Sequence, residues 1–582
     1  MSYHSREWII FSKDEAKARS LAEICGVSQR IACLLQERGI EEPEEALEFL
    51  SPKLSSLKNP LELKGMSEAV SRLMEAVEKG QNIVIWGDYD VDGVTSTTLL
   101  LKYFEAVGVD ATFFVPNRFN DGYGLNKKHL ERLHQEGADV VITVDCGISN
   151  FAEVAYANTL GLDIIIIDHH EVPAEIPAAL AVIDPLQPDC QYGCTWMAAV
   201  GLTFHVLVAL RAEMRSRGYF SNGAVEPDLR RYLDVTAVGT IADLAPLKGV
   251  NRVLTKVGIN MLQQTYSPGL RALVDVCMAG RTRSIDSGFV GFQVGPRINA
   301  AGRLSDASQG VRMLTAGDYH DAYQIAVAVD EENVRRKEIQ ENMIEEAMAM
   351  MADRVSGGLQ AGYVLWSTNW HAGVAGIVAS RLVEEFYRPF IIVAVDEGQG
   401  KASARSISGF HMVQALESLK THLQNFGGHA HAAGLSIAEE QLPDFAEAFA
   451  HLAEQRLSAP DLTPKLRVHG VLNFGEISGD LMQELSGLEP YGMANRKPVF
   501  FAEDVTVVST RVVKGNHLQM RLSQDGYAFQ SIAFGCGDRE PETGSSLDVA
   551  FFPEWNEWRG RRSIQLQIKD FRSAGTSMSR DT

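Results

Sequence analysis

Three aspartates stand within five residues in the stretch IVIWGDYDVD: Asp88, Asp90 and Asp92. Carboxylates at such close spacing repel one another, so a cationic partner must hold them ionised together. A divalent metal ion is the simplest such partner. A solvated acidic turn is the alternative for this stretch taken alone, and the other chemistry-bearing residues decide between the two.

Later stretches repeat the pattern of an acid, or an acid with histidines, after apolar residues. A single acid of this kind is often a helix N-cap, but several of them with a His-His pair predict one shared metal site. Asp243 in GTIADLAPL is a further candidate because residues 235–242 before it carry no charge, whereas Asp234 is a weaker rival that fits the surface of a helix. The other members are Asp145 in TVDCG, and Asp168, His169 and His170 in IDHH.

The elements that precede these acids are typical of short buried strands. The apolar runs Ile83–Trp86, Val140–Val144 and Ile164–Ile167 each lead into an acid, directly or after one glycine. In an open parallel sheet the carboxyl ends of the strands meet at one edge, where ligands bind. Strand and helix patterns alternate to about Leu262, so the sequence predicts a doubly wound α/β domain. A dinucleotide-binding fold is the competing interpretation, but no G-x-G-x-x-G follows these strands.

In order and character, GDYDVDG, TVDCG, IDHH and GTIADLAPL resemble the four signature motifs of the DHH phosphoesterase superfamily. From about Gln81 to Arg572 the chain resembles the RecJ family of single-strand-DNA-specific exonucleases. This resemblance implies metal-dependent 5'-to-3' hydrolysis of single-stranded DNA to mononucleotides, in DNA repair and recombination. The first motif departs from that of many superfamily members, which place a histidine where this chain has Trp86. Asp88 is expected to substitute for it.

A ligand set of carboxylate oxygens with imidazole suits Mn²⁺ or Mg²⁺ better than zinc. Two such ions about 4 Å apart activate a water and stabilise the leaving oxygen of a phosphodiester. His170 is expected beside the scissile phosphate, where it stabilises developing charge. The expected ligands are Asp90, Asp145, Asp243 and His169, with Asp88 or Asp92 completing the first motif. The predicted catalytic set is Asp88, Asp90, Asp145, His169, His170 and Asp243.

Candidate nucleic-acid contacts are spread along the chain, and composition alone favours ordinary surface for many of them. The resemblance implies that Arg118 and Tyr123 hold the 5' end of the strand. We expect Arg118, Ser403 and Arg405 to form a pocket for the terminal 5'-phosphate, one nucleotide from the metals, in a narrow channel that excludes a duplex. The predicted nucleic-acid contacts are Arg118, Tyr123, Arg297, Asn299, Arg303, Ser380, Arg381, Ser403, Arg405, His429, Lys514 and His517.

The patterns predict a multidomain α/β protein. Charged helical residues from Asp318 to about Asp353 predict one long helix that sets a cleft between two halves. A second α/β pattern follows, and beyond Pro464 five or so short β runs, the first at Leu466–Leu472, are typical of an OB-type barrel, a frequent single-strand binder. The predicted divisions are an N-terminal segment of unassigned role (1–65), a parallel-sheet DHH domain (66–315), the connecting helix (316–355), a DHH-associated α/β domain (356–458), an OB-like β-barrel (464–572) and a disordered tail (573–582).

The formal net charge of −21 is unfavourable for a nucleic-acid enzyme, so basic residues must act locally. The chain does carry basic clusters that suit this role. They are Arg281, Arg283, Arg297 and Arg303; Arg335, Arg336 and Lys337; and Arg559, Arg561 and Arg562.

The composition also narrows the class of protein. No apolar run is long enough for a membrane span, and the N-terminus lacks a signal-peptide core. Seven cysteines make no disulfide framework, and Cys190 with Cys194 lacks the second half of a zinc site. We therefore expect a cytoplasmic monomer that contacts no membrane. Its expected partner is single-stranded DNA, and the resemblance adds a helicase and a single-strand-binding protein.

Two other functions stay open at this stage. One is a phosphodiesterase for very short oligonucleotides or cyclic dinucleotides, and the predicted barrel argues against it. The other is a non-catalytic, single-strand-binding scaffold of the replisome. The complete set of acids and histidines argues against that function.

Overall fold

The structure is a computed structural model that describes residues 6–11, 14–118, 121–222, 224–280, 284–304, 306–355, 358–558, 561–575 and 579–580. The chain forms two compact units. The aspartate unit comprises Glu42–Val334 and Gly487–Arg496. The barrel unit comprises Met1–Glu41, Arg335–Ser486 and Lys497–Thr582.

The strands are β1 Glu7–Ile10, β2 Ile83–Gly87, β3 Ala111–Phe114, β4 Val140–Val144, β5 Asp163–Ile167, β6 Ala181–Ile183, β7 Tyr363–Ser367, β8 Phe390–Asp396, β9 Gln399–Arg405, β10 Asn425–Gly428, β11 Ala432–Ala438, β12 Lys465–Val468, β13 Phe500–Val513, β14 His517–Gln524, β15 Tyr527–Ala533, β16 Ser546–Trp558, β17 Arg561–Ser573 and β18 Ser579–Arg580.

The α-helices are α1 Glu15–Cys25, α2 Gln29–Glu37, α3 Pro43–Leu50, α4 Met66–Lys79, α5 Val91–Ala106, α6 Lys127–Gln135, α7 Phe151–Leu160, α8 Ala199–Ser216, α9 Leu233–Ala242, α10 Gly249–Leu262, α11 Pro268–Met278, α12 Ser287–Phe289, α13 Gly295–Leu304, α14 Ser308–Thr315, α15 Tyr319–Val355, α16 Ala372–Phe386, α17 Met412–Ser418, α18 Leu442–Arg456 and α19 Gly479–Gly487. Within the described ranges, no helix has the length and apolarity needed to span a bilayer.

The aspartate unit is built on one parallel sheet with the strand order β3-β2-β4-β5-β6. Alternate residues of β2 enter different apolar cores: Ile83 and Ile85 lie in one, and Val84 and Trp86 lie in the other. Because both faces of the sheet are buried, its strands are mainly apolar on both faces rather than at every second position. The predicted parallel α/β domain is confirmed.

The short segment Gly487–Arg496 belongs to the aspartate unit although its sequence neighbours on both sides do not. The buried guanidinium of Arg252 donates hydrogen bonds to the carbonyl oxygens of residues 487–489 at 3.0–3.2 Å. It also donates to the Phe49 carbonyl at 2.7 Å and lies 3.6 Å from the centre of that ring. A buried cation is stable only with such a set of acceptors. Arg252 therefore holds this segment on the aspartate unit.

The barrel unit contains two larger β structures. One is a five-stranded sheet with the order β10-β11-β9-β8-β7, in which β7 and β8 alone pair in parallel. The other is a closed barrel with the order β13-β14-β15-β17-β16. These confirm the predicted second α/β domain and the predicted C-terminal barrel.

The predicted strand Leu466–Leu472 is not a barrel strand, which corrects the sequence interpretation. β12 covers Lys465–Val468 and pairs in parallel with β1. Trp8 of β1 is buried, and its Nε1 donates to Asp570 Oδ2 at 2.9 Å. A half-buried strand shows the same residue pattern in either sheet, so the pairing depends on distant residues such as Trp8.

The structure also bears on the predicted long helix and on the predicted C-terminal tail. The long helix is α15, which begins in the aspartate unit and ends in the barrel unit. In the predicted tail, Ser579–Arg580 forms a short strand beside β1, while residues 576–578 and 581–582 lie outside the described residues. The domain divisions drawn from the sequence stay predictions.

Candidate metal centre

Three strands each deliver an aspartate to the same edge of the parallel sheet. Asp88, Asp145 and Asp168 follow β2, β4 and β5. Their backbone N–H groups extend the sheet by one residue, donating to the carbonyls of Val144, Ile167 and Ile183 at 3.0–3.3 Å. The three carboxyl groups therefore start from one edge, as the strand pattern predicts.

The first motif turns directly into α5, with Asp90 as the N-cap. Asp90 Oδ1 accepts hydrogen bonds from the N–H groups of Asp92 at 2.9 Å and Gly93 at 3.2 Å. A side chain at Gly93 would place its Cβ 2.5–2.7 Å from the Asp88 backbone. The turn therefore needs glycine at this position. It leaves Trp86 buried against Phe114.

Asp92 points toward a second helix start. Its two carboxylate oxygens accept from the N–H groups of Ala199 at 2.7 Å and Val200 at 2.8 Å, the first residues of α8. A carboxylate at a helix N-terminus satisfies unpaired N–H groups and interacts favourably with the helix dipole. Asp92 Oδ2 also lies 3.8 Å from His169 Nε2. Asp92 thus joins α5 to α8 at the border of the acidic cluster.

The ligand atoms form three overlapping groups, each within 4.8 Å. Their shared members are Asp145 and His169, whose Oδ1 and Nε2 atoms lie 3.0 Å apart. The Nδ1 atom of His169 lies 4.0 Å from Asp243 Oδ2. Overlap of this kind allows neighbouring cation positions to share a ligand. The groups are Asp88, Asp90 and Asp145; Asp92, His169 and Asp243; and Asp145, His169 and His170.

The buried acids cannot all be ionised without a cation. Burial raises the pKa of Asp88, Asp145 and Asp243, and the neighbouring carboxylates raise it further. Burial and the Asp90 charge raise the pKa of Asp92 to about 7. A divalent cation reverses this cost because it favours the ionised form of every carboxylate beside it.

Individual ligand atoms of the site are also available to bind a cation. The Oδ1 atom of Asp88 is buried and has no hydrogen-bond partner among the described residues. Burial, followed by the neighbouring His170, lowers the pKa of His169 to about 4, so its imidazole is neutral and has a lone pair to donate. Carboxylate oxygens with one imidazole suit Mn²⁺ or Mg²⁺.

Asp168 plays a different part from the other acids. Its Oδ1 accepts from His170 Nδ1 at 2.7 Å and from the His169 N–H at 2.8 Å, and its Oδ2 accepts from the Ile148 N–H at 3.0 Å. Burial alone would raise its pKa, but these hydrogen bonds lower it overall. Burial lowers the pKa of His170, yet the Asp168 carboxylate raises it above its ordinary value. Asp168 is therefore a positioning residue that keeps a proton on His170. Its place before two histidines was the available signal, and the predicted site set omitted it.

A cavity of about 390 Å³ opens over these groups. It brings together predicted catalytic and metal residues with predicted nucleic-acid contacts. The former are Asp88, Asp90, Asp145, His170 and Asp243, and the latter are Arg118, Tyr123, Asn299 and Arg303. The remaining lining residues are Tyr89, Ala242 and Gly302.

Two aromatic side chains in the lining hold other groups. The Arg118 guanidinium lies 5.1 Å from the centre of the Tyr89 ring, a cation–π contact that sequence reasoning missed. The Tyr123 hydroxyl donates to the Asp145 carbonyl at 2.9 Å and lies 3.2 Å from His170 Nδ1. Tyr123 therefore supports the second acid and the imidazole, and its predicted contact with the 5' end of the strand stays a prediction.

Two residues of the sequence analysis lie away from the cavity. Arg297 is buried on the inner face of α13, where it donates to Asp330 at 2.8 Å and to the Gln293 carbonyl at 2.8 Å. Asp234 is helical but buried, not on the surface, and accepts from the Thr265 hydroxyl. Asp243, at the end of the same helix α9, is the acid that reaches the site.

The predicted contacts in the barrel unit lie on several elements. Ser403 and Arg405 share one face of β9, and both approach Gly376 of α16, where an added Cβ would lie 3.0 Å from the Arg405 guanidinium and 3.5 Å from Ser403. The Ser380 hydroxyl donates to the Gly376 carbonyl within α16, and Arg381 pairs with acids of the same helix.

The other predicted contacts of this unit lie at strand ends and turns. The His429 N–H donates to the Ala432 carbonyl at 2.8 Å, Lys514 lies in the turn between β13 and β14, and His517 Nδ1 accepts from the Gly535 N–H at 3.1 Å. The basic residues Arg281, Arg283 and Arg559 lie outside the described residues.

Models of three domain families match the chain in the predicted order. They are the DHH family N-terminal domain over residues 82–240, the DHHA1 domain over 337–455 and the RecJ OB domain over 468–570.

Relatives in several bacteria match nearly the whole chain. The single-stranded-DNA-specific exonuclease RecJ of Bacillus subtilis is 35% identical over 97% of this chain and 70% of its own length. The protein of that name in Escherichia coli is 35% identical over 92% of this chain and 94% of its own length.

A solved structure also matches across the chain. The crystal structure of RecJ in complex with Mn²⁺ from Thermus thermophilus has a TM-score of 0.83 at 31% identity, covering 98% of this chain and 80% of that one. The chain therefore belongs to the RecJ family.

Proposed function

We propose that this chain is a metal-dependent exonuclease that hydrolyses single-stranded DNA. The observation that carries the proposal is the convergence of four motifs at one edge of the parallel sheet, where acids, one histidine and two arginines line a single cavity. Relatives named single-stranded-DNA-specific exonuclease RecJ, and RecJ structures with Mn²⁺ and Mg²⁺, support both the substrate and the metals. Roles in DNA repair and recombination follow from the same family.

Two metal positions fit the ligand groups. Asp88, Asp90 and Asp145 would hold one cation, and His169 with Asp243 would hold the second, with Asp145 shared between them. Bound Mn²⁺ or Mg²⁺ supplies Lewis acidity toward water and toward a phosphoryl oxygen. We infer that Asp92 contributes less as a ligand, because both of its oxygens already accept hydrogen bonds from α8.

His170 supplies positive charge to the phosphate. Asp168 retains the proton at Nδ1, so the ring stays cationic at higher pH and its Nε2 is left for a phosphate oxygen. A charge placed in advance where negative charge develops lowers the barrier without reorganisation during the reaction.

The arginines of the cavity offset the acids. Arg118, held against Tyr89, and Arg303 provide two positive charges at the rim, and Asn299 provides an amide. Arginine binds phosphate through two parallel hydrogen bonds, which positions a strand as well as attracting it. These two local positive charges would attract phosphate although the net charge of the whole chain is negative.

We also propose that cleavage runs from the 5' end and releases mononucleotides. Ser403 and Arg405 on one face of β9 suit a terminal phosphate, since a hydroxyl and a guanidinium together provide several donors. The test is the ratio of cleavage efficiencies for 5'-phosphorylated and 5'-hydroxyl strands. We expect Arg405→Ala to reduce this ratio by about 10- to 150-fold, the value of one charge-assisted hydrogen bond. Lys401→Ala, which removes a positive charge from the same strand, is the control. An unchanged ratio in Arg405→Ala would place the phosphate elsewhere.

The central experiment uses the full chain with single-stranded and duplex DNA, labelled at either end, in Mn²⁺, in Mg²⁺ and in chelator. We expect metal-dependent loss of the single strand alone. Asp145→Asn should slow the reaction by more than about 100-fold, because a shared ligand loses its charge, while binding of the strand persists. Asp110→Asn, an exposed acid beside β3, should leave the rate unchanged.

Each remaining function has its own outcome in that experiment. Cleavage of dinucleotides or cyclic dinucleotides without cleavage of long strands would favour the short-substrate phosphodiesterase. Binding of single strands without any metal-dependent cleavage would favour the scaffold. A helicase or single-strand-binding partner, a monomeric state and a cytoplasmic location stay predictions.

A further inference from the structure

Phe292 is a large apolar side chain that the fold leaves in solvent. Its residue is 79% exposed, the most among the exposed large hydrophobic residues of the described chain. It lies in the π-helical turn Val290–Val294, which joins α12 to α13, and the Gly295 N–H closes this turn on the Val290 carbonyl. Single π-turns inside helices occur frequently at functional sites.

Phe292 lies directly before the helix that supplies part of the cavity lining. The partly exposed positions of α13 include Pro296, Asn299 and Arg303, which recur at the three- and four-residue spacing of one helix face. Asn299 and Arg303 line the cavity. Phe292 therefore lies seven residues before Asn299 and outside the cavity lining.

The turn that carries Phe292 is fixed against the metal centre. An added Cβ at Gly295 would lie 3.2 Å from the Ala242 Cβ, and one at Gly291 would lie 3.8 Å from the Ile241 side chain. These two residues end α9, directly before Asp243. Phe292 thus stands at a set distance from a predicted metal ligand.

We propose that Phe292 is a stacking platform for one base of the DNA strand that enters the cavity. This inference rests on the proposed function and adds a specificity-determining residue to it. The charged cavity suits the phosphates, whereas the bases have apolar faces that need an aromatic partner outside it. Phenylalanine has no polar group with which to read a base edge, so the contact accepts any base.

The occupant is a base rather than a protein side chain because Phe292 precedes, on the same continuous helical segment, Asn299 and Arg303, which line the cavity proposed to hold the strand. Because Phe292 precedes Asn299 by seven residues and does not line the cavity, the contact falls beyond the nucleotide being cleaved. Phe292 would therefore favour strands of several nucleotides over a dinucleotide.

The experiment combines loss of the aromatic ring with loss of single bases. Oligodeoxythymidylates with one abasic position, moved stepwise from the 5' end, are cleaved by the wild-type chain and by Phe292→Ala in Mn²⁺, and kcat/KM for the first cleavage is measured. We expect one abasic position to reduce wild-type kcat/KM by about 5- to 150-fold, the range for stacking of one base. The same abasic position should cost Phe292→Ala nothing, and Phe292→Trp should restore the wild-type pattern.

Tyr266→Ala, which removes an aromatic side chain 66% exposed in the same unit, is the matched control and should retain the wild-type pattern. The proposal is overturned if every abasic position costs Phe292→Ala as much as it costs the wild-type chain. It is also overturned if Phe292→Ala cleaves the intact strand as efficiently as the wild-type chain does. Absence of wild-type cleavage of the intact strand would instead refute the proposed function, so the two failures are distinguishable.

Discussion

Replacing Asp168 by asparagine removes one negative charge while keeping the shape of the side chain. The native carboxylate accepts from His170 Nδ1 at 2.7 Å, from the His169 N–H at 2.8 Å and from the Ile148 N–H at 3.0 Å. An amide has one oxygen for these donors, so at least one of them faces an NH₂ group. We expect His170 to lose its charged partner, and its pKa to fall because burial lowers it and only the charges of Asp90 and Asp88 then oppose that effect.

The size of the effect follows from the single contact. A hydrogen bond to a charged group contributes about 1.5–3 kcal/mol. If the contact is needed in the transition state, kcat falls by about 10- to 150-fold, at 1.36 kcal/mol per factor of ten. The pH profile changes in a definite direction. Because the active form of His170 is protonated, a lower pKa moves the alkaline loss of activity to lower pH in Asp168→Asn.

The assay is single-turnover cleavage of a labelled single strand across the neutral and alkaline range at a saturating Mn²⁺ concentration. Thermal unfolding of each variant confirms that it is folded. A double-mutant cycle with His170→Ala supplies the decisive comparison, since Asp168→Asn should cost nothing further once the imidazole is absent. A full additional loss in that background, or an unshifted alkaline limb, would refute the idea that Asp168 acts through His170.

Two further predictions concern stability. Arg252→Met leaves buried carbonyl oxygens without their donor, and we expect it to lower the free energy of unfolding by about 3 kcal/mol or more in denaturant titrations of the full chain. The control is Arg230→Met at an exposed position, which should lower the free energy of unfolding by less than about 1 kcal/mol. An equally small loss for Arg252→Met would contradict the proposal that Arg252 holds Gly487–Arg496 on the aspartate unit. Burial lowers the pKa of His205 to about 4, whereas a histidine in the unfolded chain has a pKa near 6.5. Between these two pH values the unfolded chain binds a proton that the folded chain does not. The free energy of unfolding therefore drops by up to about 3 kcal/mol as the pH falls through this window. His205→Gln should remove that part of the pH dependence, and an unchanged slope between pH 6.5 and 4 would refute the assignment.

The sequence alone determined the parallel sheet and the acids at its edge. The runs before Asp88, Asp145 and Asp168 are apolar at nearly every position, which is typical of a strand buried on both faces. Since parallel strands end at one edge, the residues that follow them must meet wherever the chain folds in this way. The same local logic predicted α4 at Met66–Lys79, because apolar spacing and a closing glycine are properties of neighbouring residues.

Tertiary structure decided which of these side chains face the cavity and which are already bonded elsewhere. Asp92 caps α8, whose first residues lie more than a hundred positions away, and no local pattern contains that contact. Arg297 and Arg303 belong to one helix, yet Arg297 faces Asp330 inside the unit while Arg303 lines the cavity. β12 pairs with β1 instead of entering the barrel because Trp8 and its distant partner Asp570 hold β1 in place. The physical reason is common to all three cases: residue type and spacing set what a side chain can do, whereas its direction and partners depend on the packing of elements that are far apart in sequence.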